Sequence, residues 1–256
     1  MKDSLARIER VIRVNSTRFN LDVAVQDETL KQIRAGQSLL ARFGNRSDET
    51  QSWAPYLRER WWPLGVADRG VLRVEVPASR RYEPGQLVQL LGPVGQPYRF
   101  RRKLESVLLI AHDADPVPLL VMTPNLLKNN VNVSLLLTGD ARAYETRHLA
   151  PEIEVLRAPD VVDWGEYVKV LGHADQIFVT VRQDDELLHF AAILDVCRER
   201  LKNLDENRLF GIFQTTLLCG VGACDACALR TRQGVRPICV DGPAFDLMTV
   251  RLGSAN

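Results

Sequence analysis

The sequence predicts a β plus α/β fold: an antiparallel β-barrel, then an α/β domain, then a small cysteine-rich module. Three observations predict it. Short apolar stretches broken by glycine and proline fill the N-terminal part. Apolar runs that alternate with helical segments begin at Val107. Four of the five cysteines lie close together near the C-terminus.

The N-terminal part is predicted to form short strands. Apolar and polar residues alternate there, as expected for strands with one buried face. Turn-forming segments, such as Glu83-Pro84-Gly85-Gln86, separate the alternating stretches. The predicted strands cover residues 8–14, 21–26, 38–43, 71–76 and 87–91. Several short strands punctuated by turns favour an antiparallel barrel.

The pattern changes from alternation to continuous apolar runs beyond Val107. The predicted strands here are 107–111, 131–137 and 176–181, with a segment 118–128 between the first two and helices over 165–171 and 185–204. Strands that alternate with helices predict a parallel sheet. We interpret the basic run Arg101-Arg102-Lys103 as a solvated linker. The predicted domains are residues 1–102, 103–214 and 215–256.

Four cysteines, Cys219, Cys224, Cys227 and Cys239, have the spacing C-x4-C-x2-C followed by a more distant cysteine. This spacing is typical of plant-type [2Fe–2S] sites. Small residues between the ligands let the backbone curl around a cluster and direct its N–H groups at sulfur. A zinc site, which usually pairs two C-x2-C motifs, a disulfide pair and unrelated buried thiols remain as alternatives.

The fifth cysteine, Cys197, is predicted to be a small buried residue of a helix rather than a ligand. It shares a helically spaced apolar stripe with Leu187, Phe190, Ala191, Leu194 and Leu201.

Composition limits the partners of the chain. The 256 residues carry a formal net charge of +1, which gives no reason to expect binding to nucleic acid or to an anionic membrane. The sequence contains no signal-peptide pattern and no apolar stretch of membrane-spanning length. Cysteines gathered into a ligand pattern suit a reducing compartment, so a cytoplasmic location is expected.

The chain resembles the electron transfer subunits of bacterial dihydroorotate dehydrogenase B, a branch of the ferredoxin–NADP reductase superfamily. The resemblance is strongest over residues 218–246, where Cys-Gly-Val-Gly-Ala-Cys and Cys-Val-Asp-Gly-Pro-Ala-Phe-Asp follow the family pattern. Leu91-Gly92-Pro93-Val94-Gly95 is similar to the turn that closes the family's barrel. Ala35-Gly36-Gln37 is similar to its Pro-Gly-Gln strand start.

The resemblance implies a flavin-type barrel that carries FAD, a nicotinamide nucleotide site on the α/β domain and a cluster module. Arg60, Gly92 and Gly95 would be the FAD-binding residues. The cluster would connect that flavin to the FMN of a separate catalytic flavoprotein, so the implied assembly is a hetero-oligomer. This chain would then be an electron-transfer component of pyrimidine biosynthesis, without catalytic residues of its own.

Two departures from the family pattern concern the nucleotides. Pro63 stands where the family's flavin strand has a hydroxyl residue, and proline offers neither a hydroxyl nor an N–H. We therefore expect FAD to bind weakly or not at all. Trp61 and Trp62 are expected to divide between the core and a subunit interface, although one of them could stack on a ring system.

The second departure is the replacement of the family's glycine-rich turn by residues 111–118, which contain no glycine. Asp113 and Asp115 would bring negative charge towards a diphosphate. The family's Cys-Gly-Pro is represented by Thr180-Val181-Arg182. NAD(P) binding is therefore not expected, and we interpret the two aspartates as part of a solvated turn rather than a cation site.

Three functions remain open from the sequence. The first is a [2Fe–2S] electron-transfer subunit that works beside a flavoprotein dehydrogenase. The second is a non-enzymatic structural or redox-sensing subunit, and the third is a flavin- and NAD(P)H-dependent oxidoreductase with altered motifs. The four histidines show no ligand spacing, and none is assigned a role.

Overall fold

The computed structural model describes residues 2–43, 57–67, 70–160, 168–201 and 203–253. The chain divides into two compact units. One contains Met1–Pro97, Thr216–Cys227 and Cys239–Asp241, and the other contains Tyr98–Thr215, Ala228–Ile238 and Gly242–Asn256. In this division both units contain C-terminal residues, and the three-domain division stays a prediction.

The first unit is built on a seven-stranded antiparallel sheet that curls into a nearly closed barrel, as the sequence predicts. The strand order is β4-β3-β7-β1-β2-β6-β5. Its elements are β1 (Lys2–Arg13), β2 (Arg18–Ala24), α1 (Glu28–Lys31), β3 (Ser38–Phe43), β4 (Glu59–Trp61), β5 (Pro63–Ala67), β6 (Val71–Pro77) and β7 (Leu87–Val94).

Alternation of side chains explains this sheet. Along β7, Val88, Leu90, Gly92 and Val94 are buried, and the alternate residues Gln89, Leu91 and Pro93 are partly exposed. Because successive strand residues point to opposite faces, one face fills the barrel interior. Ile8 and Leu21 are fully buried there, and each contributes about 1.5–3 kcal/mol through burial.

The second unit contains a six-stranded sheet in the order β10-β9-β8-β11-β12-β15 and a separate hairpin of β13 and β14. The strands are β8 (Ser106–His112), β9 (Asn132–Thr138), β10 (Ile153–Ala158), β11 (Gln176–Val181), β12 (Leu209–Ile212), β13 (Ala228–Thr231), β14 (Gly234–Pro237) and β15 (Ala244–Asp246). The helices of this unit are α2 (Val117–Leu120), α3 (Thr123–Lys128), α4 (Val168–His173) and α5 (Glu186–Arg200). A further short helix, α6 (Ile238–Asp241), has its last three residues, Cys239–Asp241, in the first unit. None of the described helices is long and apolar enough to cross a membrane.

The neighbouring strands among β8 to β12 all pair in parallel, which confirms the predicted α/β sheet. In this sheet β15, at the edge, pairs antiparallel with β12. All six residues of β11 are buried, as expected for a strand inside a parallel sheet. The strand order reverses between β8 and β11. In sheets of this kind ligands bind beyond the carboxyl ends of the strands at such a reversal.

Helix α5 corrects one detail of the predicted stripe. Cys197 is buried as predicted, but Leu187 is 40% exposed. Glu186 is buried instead, and its carboxylate accepts the N–H of Gln214. This hydrogen bond offsets the cost of burying a carboxylate. The predicted helix over 165–171 corresponds to α4, and its first three residues lie outside the described residues.

Candidate iron–sulfur site

The four predicted cluster ligands lie in the first unit. Cys219, Cys224 and Cys227 belong to an irregular loop, whereas Cys239 lies in the short helix α6. The loop reverses direction at Gly220 and Gly222, whose φ angles are +71° and +74°. Residues with side chains rarely adopt this left-handed conformation, so glycine allows the tight curl that the sequence predicts.

Close packing also requires glycine at these two positions. A Cβ atom on Gly220 would lie 2.7 Å from Leu40 Cδ1, which belongs to β3 of the barrel. A Cβ atom on Gly222 would lie 2.7 Å from Val240 Cγ2, beside Cys239. Both separations are far shorter than the usual contact between carbon atoms. The loop is thus pressed against the barrel at one glycine and against the fourth cysteine's segment at the other.

Backbone N–H groups of the loop point at cysteine sulfurs. The Val221 N–H donates to Cys219 Sγ at 3.4 Å, and the Gly222 N–H donates to Cys239 Sγ at 3.2 Å. The Cys239 N–H donates to Cys227 Sγ at 3.5 Å. These donors stabilise negative charge on sulfur, which is the form of cysteine that binds metal.

The thiols form two contacting pairs, Cys219 with Cys224 and Cys227 with Cys239. The Val221 N–H leads the contacts that lower the pKa of Cys219 to about 6, and burial partly opposes them. Burial, reinforced by the neighbouring Cys227, raises the pKa of Cys239 to about 12. Among the described residues, no three His, Cys, Asp or Glu side chains are arranged around a single ion position.

The pairs differ in exposure. Cys227 and Cys239 are buried, while Cys224 is exposed. Apolar side chains next to the cysteines in sequence are also exposed: Leu218 by 59%, Val221 by 51% and Val240 by 38%. The site therefore has one edge inside the unit and one edge at its surface.

The barrel turn that resembles Leu-Gly-Pro-x-Gly holds the fourth cysteine. The Gly95 N–H donates to the carbonyl oxygen of Cys239 at 3.0 Å, and the Gln96 Nε2 donates to that of Val240 at 2.9 Å. Gln37 in turn donates to the Gly95 carbonyl at 3.3 Å. Sequence reasoning missed these contacts, although the Gly92–Gly95 motif and Gln37 were recognised as parts of the family pattern.

Comparison with known proteins supports the cysteine site. Residues 214–251 match the sequence family described as the iron–sulfur cluster binding domain of dihydroorotate dehydrogenase B. The chain is similar to dihydroorotate dehydrogenase B electron transfer subunits. The Clostridium perfringens subunit is 22% identical over 180 residues, which cover 65% of this chain and 67% of that protein. The Shouchella clausii subunit is 27% identical over 174 residues, 66% of each chain.

These alignments span about two thirds of each relative's length. A shorter match, 40% identical over 50 residues, joins 20% of this chain to 22% of a putative Thermotoga petrophila electron transfer subunit.

Solved structures show the fold. A structure of NADH-dependent reduced ferredoxin-NADP oxidoreductase superimposes with a TM-score of 0.71 at 15% identity, over 97% of this chain and 90% of that one. An Amycolatopsis cytochrome P450 reductase gives a TM-score of 0.60 at 15% identity, over 84% and 70%. The fold is that of ferredoxin–NADP reductase-like proteins.

The residues at the family's flavin positions make contacts within the protein itself. Arg60 Nε donates to Ser38 Oγ at 3.0 Å, and the guanidinium carbon lies 4.3 Å from the centre of the Trp62 ring. Pro63 begins β5 and has no N–H to offer. Pro63 therefore cannot supply the hydroxyl or N–H contact to a flavin ring that the resemblance implies, and we derive no step through FAD.

Further expectations concern the same region. Trp61 and Trp62 are 3% and 6% exposed, so the prediction that one of them lies at a subunit interface is wrong. Trp62 is buried because the Arg60 guanidinium covers its ring. A Cβ atom on Gly92 would lie 2.5 Å from Leu39 Cδ2, which shows close packing at that position. Flavin binding by Arg60, Gly92 and Gly95 stays a prediction.

The turn after β8 has no glycine, and its two aspartates accept hydrogen bonds from backbone N–H groups. Asp113, at φ +50°, accepts the N–H of Asp140 at 2.8 Å. Asp115 accepts the N–H of Val117 at 3.1 Å, at the start of α2. The aspartates of this turn are thus structural acceptors: Asp115 engages the N–H of Val117 within the turn, and Asp113 engages the N–H of Asp140 beyond β9. The expectation that NAD(P) does not bind stays a prediction.

Proposed function

We propose that the chain is an iron–sulfur electron transfer subunit that relays single electrons to or from a flavoprotein dehydrogenase. One observation carries the proposal: four cysteines form two contacting pairs, with loop N–H groups directed at their sulfurs. A [2Fe–2S] cluster needs four thiolates. The two pairs suit two irons with two thiolates each.

The residues have distinct roles in this proposal. Cys219 and Cys224 would hold one iron, and Cys227 and Cys239 the other. The N–H groups of Val221 and Gly222 would stabilise negative charge on the sulfurs and so tune the reduction potential. The left-handed glycines keep those N–H groups directed inward. When bound, the cluster supplies reversible one-electron transfer.

The exposed edge of the site favours relay over a purely structural role. Cys224 is exposed, and so are the side chains of Leu218 and Val221 in the same loop. Burial of a metal centre shields it from a redox partner, whereas an exposed edge brings it close to one. The relatives are named as subunits of dihydroorotate dehydrogenase B. We therefore take the partner to be a dihydroorotate dehydrogenase-like catalytic flavoprotein of pyrimidine biosynthesis.

The proposal assigns no catalysis and no NAD(P) binding to this chain, and it is compatible with FAD in the barrel. Pro63 lacks the hydroxyl and the N–H expected at a flavin ring, and Asp113 and Asp115 bring negative charge to the turn where NAD(P) would need a diphosphate site. The ligand use of four cysteines suits the reducing cytoplasm, where we place the protein.

The test is purification of the full chain without oxygen, followed by measurement of iron, sulfide and flavin and of the visible spectrum on one sample. We expect about two irons and two sulfides per chain and a spectrum that dithionite bleaches reversibly. Stoichiometric zinc without sulfide would overturn the cluster. A cluster that resists reduction would favour the structural role. Bound FAD together with NADH oxidation by the isolated chain would favour the flavin-dependent oxidoreductase.

A further inference from the structure

The hairpin between the third and fourth cysteines concentrates positive charge. Strands β13 and β14 pair antiparallel, and residues 228–237 contain three arginines and no acidic residue. The side chains of Arg230, Arg232 and Arg236 are exposed. The chain as a whole has a formal net charge of only +1. The hairpin is therefore a local feature and does not reflect a basic protein.

The backbone of the hairpin is fixed from its own unit. The Arg232 N–H donates to the Thr249 carbonyl at 2.8 Å, and the Arg251 N–H donates to the Arg230 carbonyl at 2.9 Å. Thr231 also forms a bridge with Val250. This edge adds a fourth exposed arginine, Arg251. Charges on a fixed backbone need little ordering when a partner binds.

The hairpin also exposes an apolar side chain. Val235, next to the turn, is 63% exposed and stands opposite Arg230 in the strand register. Every cation of residues 228–237 is an arginine. Arginine is enriched in protein interfaces and lysine is depleted, because the planar guanidinium binds carboxylates through two hydrogen bonds.

Chain connectivity links this hairpin to the cluster ligands. Ala228 follows Cys227 directly, and Cys239 comes two residues after Pro237. A partner that binds the hairpin binds the segment that joins two ligands. Electrostatic attraction at such a position would speed encounter with an oppositely charged redox partner.

We propose that residues 228–237 form a docking element for an acidic protein surface, with the arginines facing carboxylates and Val235 entering an apolar depression. The occupant is the acidic face of the flavoprotein partner, so this inference rests on the proposed function. Nucleic acid is the less favoured occupant, because the hairpin has no aromatic residue for base stacking and the chain has no overall basic excess.

The test measures binding of a fluorescein-labelled oligoglutamate peptide to the full chain by fluorescence anisotropy. Arg230→Glu/Arg232→Glu is compared with Arg7→Glu/Arg10→Glu, which makes the same charge change at exposed positions of β1. Titrations run at about 0.01 M and about 0.15 M salt, where the screening length is about 30 Å and about 8 Å. An unchanged far-ultraviolet circular dichroism spectrum and urea midpoint show that a variant is folded, and Arg230→Gln/Arg232→Gln replaces a variant that fails this check.

We expect wild type and the β1 variant to bind equally at low salt, the hairpin variant at least tenfold more weakly, and high salt to abolish the difference. Equal binding by the hairpin variant, or an equal loss in the β1 variant, would overturn the proposal. So would tighter binding of a labelled single-stranded oligonucleotide than of the peptide. The peptide titration needs no cluster, so a chain without iron and sulfide would defeat the proposed function and leave this test intact.

Discussion

The cysteine loop and the turn after β8 meet the same backbone requirement in opposite ways. Both contain residues in the left-handed conformation. In the loop these include Gly220 and Gly222, and the N–H of Gly222 reaches the sulfur of Cys239. In the turn the residue is Asp113, and its carboxylate accepts the N–H of Asp140. In the loop a left-handed residue therefore directs its N–H at a cysteine sulfur, whereas in the turn a left-handed residue contributes a carboxylate that accepts an N–H of a neighbouring segment.

The cysteine loop and the turn after β8 differ in which side chain fills the space beside a glycine. A side chain at Gly220 would strike Leu40, so the loop depends on the absence of a Cβ atom. A Cβ atom on Gly139 would lie 1.9 Å from Asp113 Oδ1, so Asp113 occupies the space beside that glycine. The turn is thus a rebuilt element with its own packing rather than a degraded loop.

Removal of a ligand should abolish the cluster. We expect Cys227→Ser or Cys239→Ser to lose nearly all iron and sulfide, because each is buried and belongs to a contacting pair. The matched control is Cys197→Ser, since Cys197 is buried on α5 and is free of the pairs. Iron and sulfide assays with the visible spectrum measure the effect. Cluster loss in the control, or retention in both ligand variants, would show that the ligand set is wrong.

Addition of one methyl group to the loop should destabilise the first unit. For Gly220→Ala we expect a loss of about 2–4 kcal/mol in the free energy of unfolding, since left-handed strain adds to the collision with Leu40. Gly85→Ala is the control: its φ is +88° and nothing lies within 4 Å of the added atom. That variant should lose only about 1–2 kcal/mol. Urea unfolding measures both, and equal losses would mean that strain alone, without packing, explains the glycine.

The cysteine ligands can be predicted from the sequence because their pattern is local. The spacing of Cys219 to Cys227 is characteristic, and the glycines between them indicate a left-handed backbone conformation. The contact between Gly95 and Cys239 joins residues far apart in sequence, and no local pattern predicts it. The family resemblance identified the Gly95 motif but assigned it to a flavin.

For the fold as well, the sequence predicts local patterns but not contacts between distant segments. Long apolar runs such as 107–111 and 176–181 predicted β8 and β11 because buried parallel strands are apolar throughout. The prediction missed β10, β12 and β15, which are short or partly polar and gain their pairing from neighbours already in place. Leu187 was placed on the buried stripe because helical spacing alone cannot reveal the hydrogen bond that buries Glu186.

The turn should bind nicotinamide nucleotides poorly. We expect dissociation constants for NADH and NADPH in the millimolar range or weaker, about 4 kcal/mol or less of binding free energy. Asp113→Asn/Asp115→Asn keeps carbonyl oxygens for the Asp140 and Val117 N–H groups but removes two charges. It should improve affinity about two- to fivefold, or about 0.4–1 kcal/mol.

Isothermal calorimetry measures these affinities. The control is Asp195→Asn/Asp205→Asn, an exposed pair that makes the same charge change away from the turn, and it should leave the affinity unchanged. Micromolar binding by the unmodified chain would show that the turn forms a functional nucleotide site without glycines.

The smallest expected effect is on the pH dependence of folding stability, through His112 beside the turn. Burial lowers the pKa of His112, with His189 and Arg182 acting the same way and Asp113 and Asp160 opposing them. The unfolded value is about 6.5. Because the folded pKa is the lower one, the unfolded chain binds more protons as pH falls through about 6.5, and folding stability is lost in that direction.

The variant His112→Asn should flatten this loss between about pH 7.5 and about pH 5.5, since asparagine cannot take up the proton and can still contact Thr138. His173→Asn, at an exposed position of α4, should keep the wild-type slope. Urea midpoints across this pH range give the slopes. If His112→Asn and wild type lose stability equally on acidification, the proton is taken up by a residue other than His112. His112 would then make no contribution to the pH dependence of folding stability.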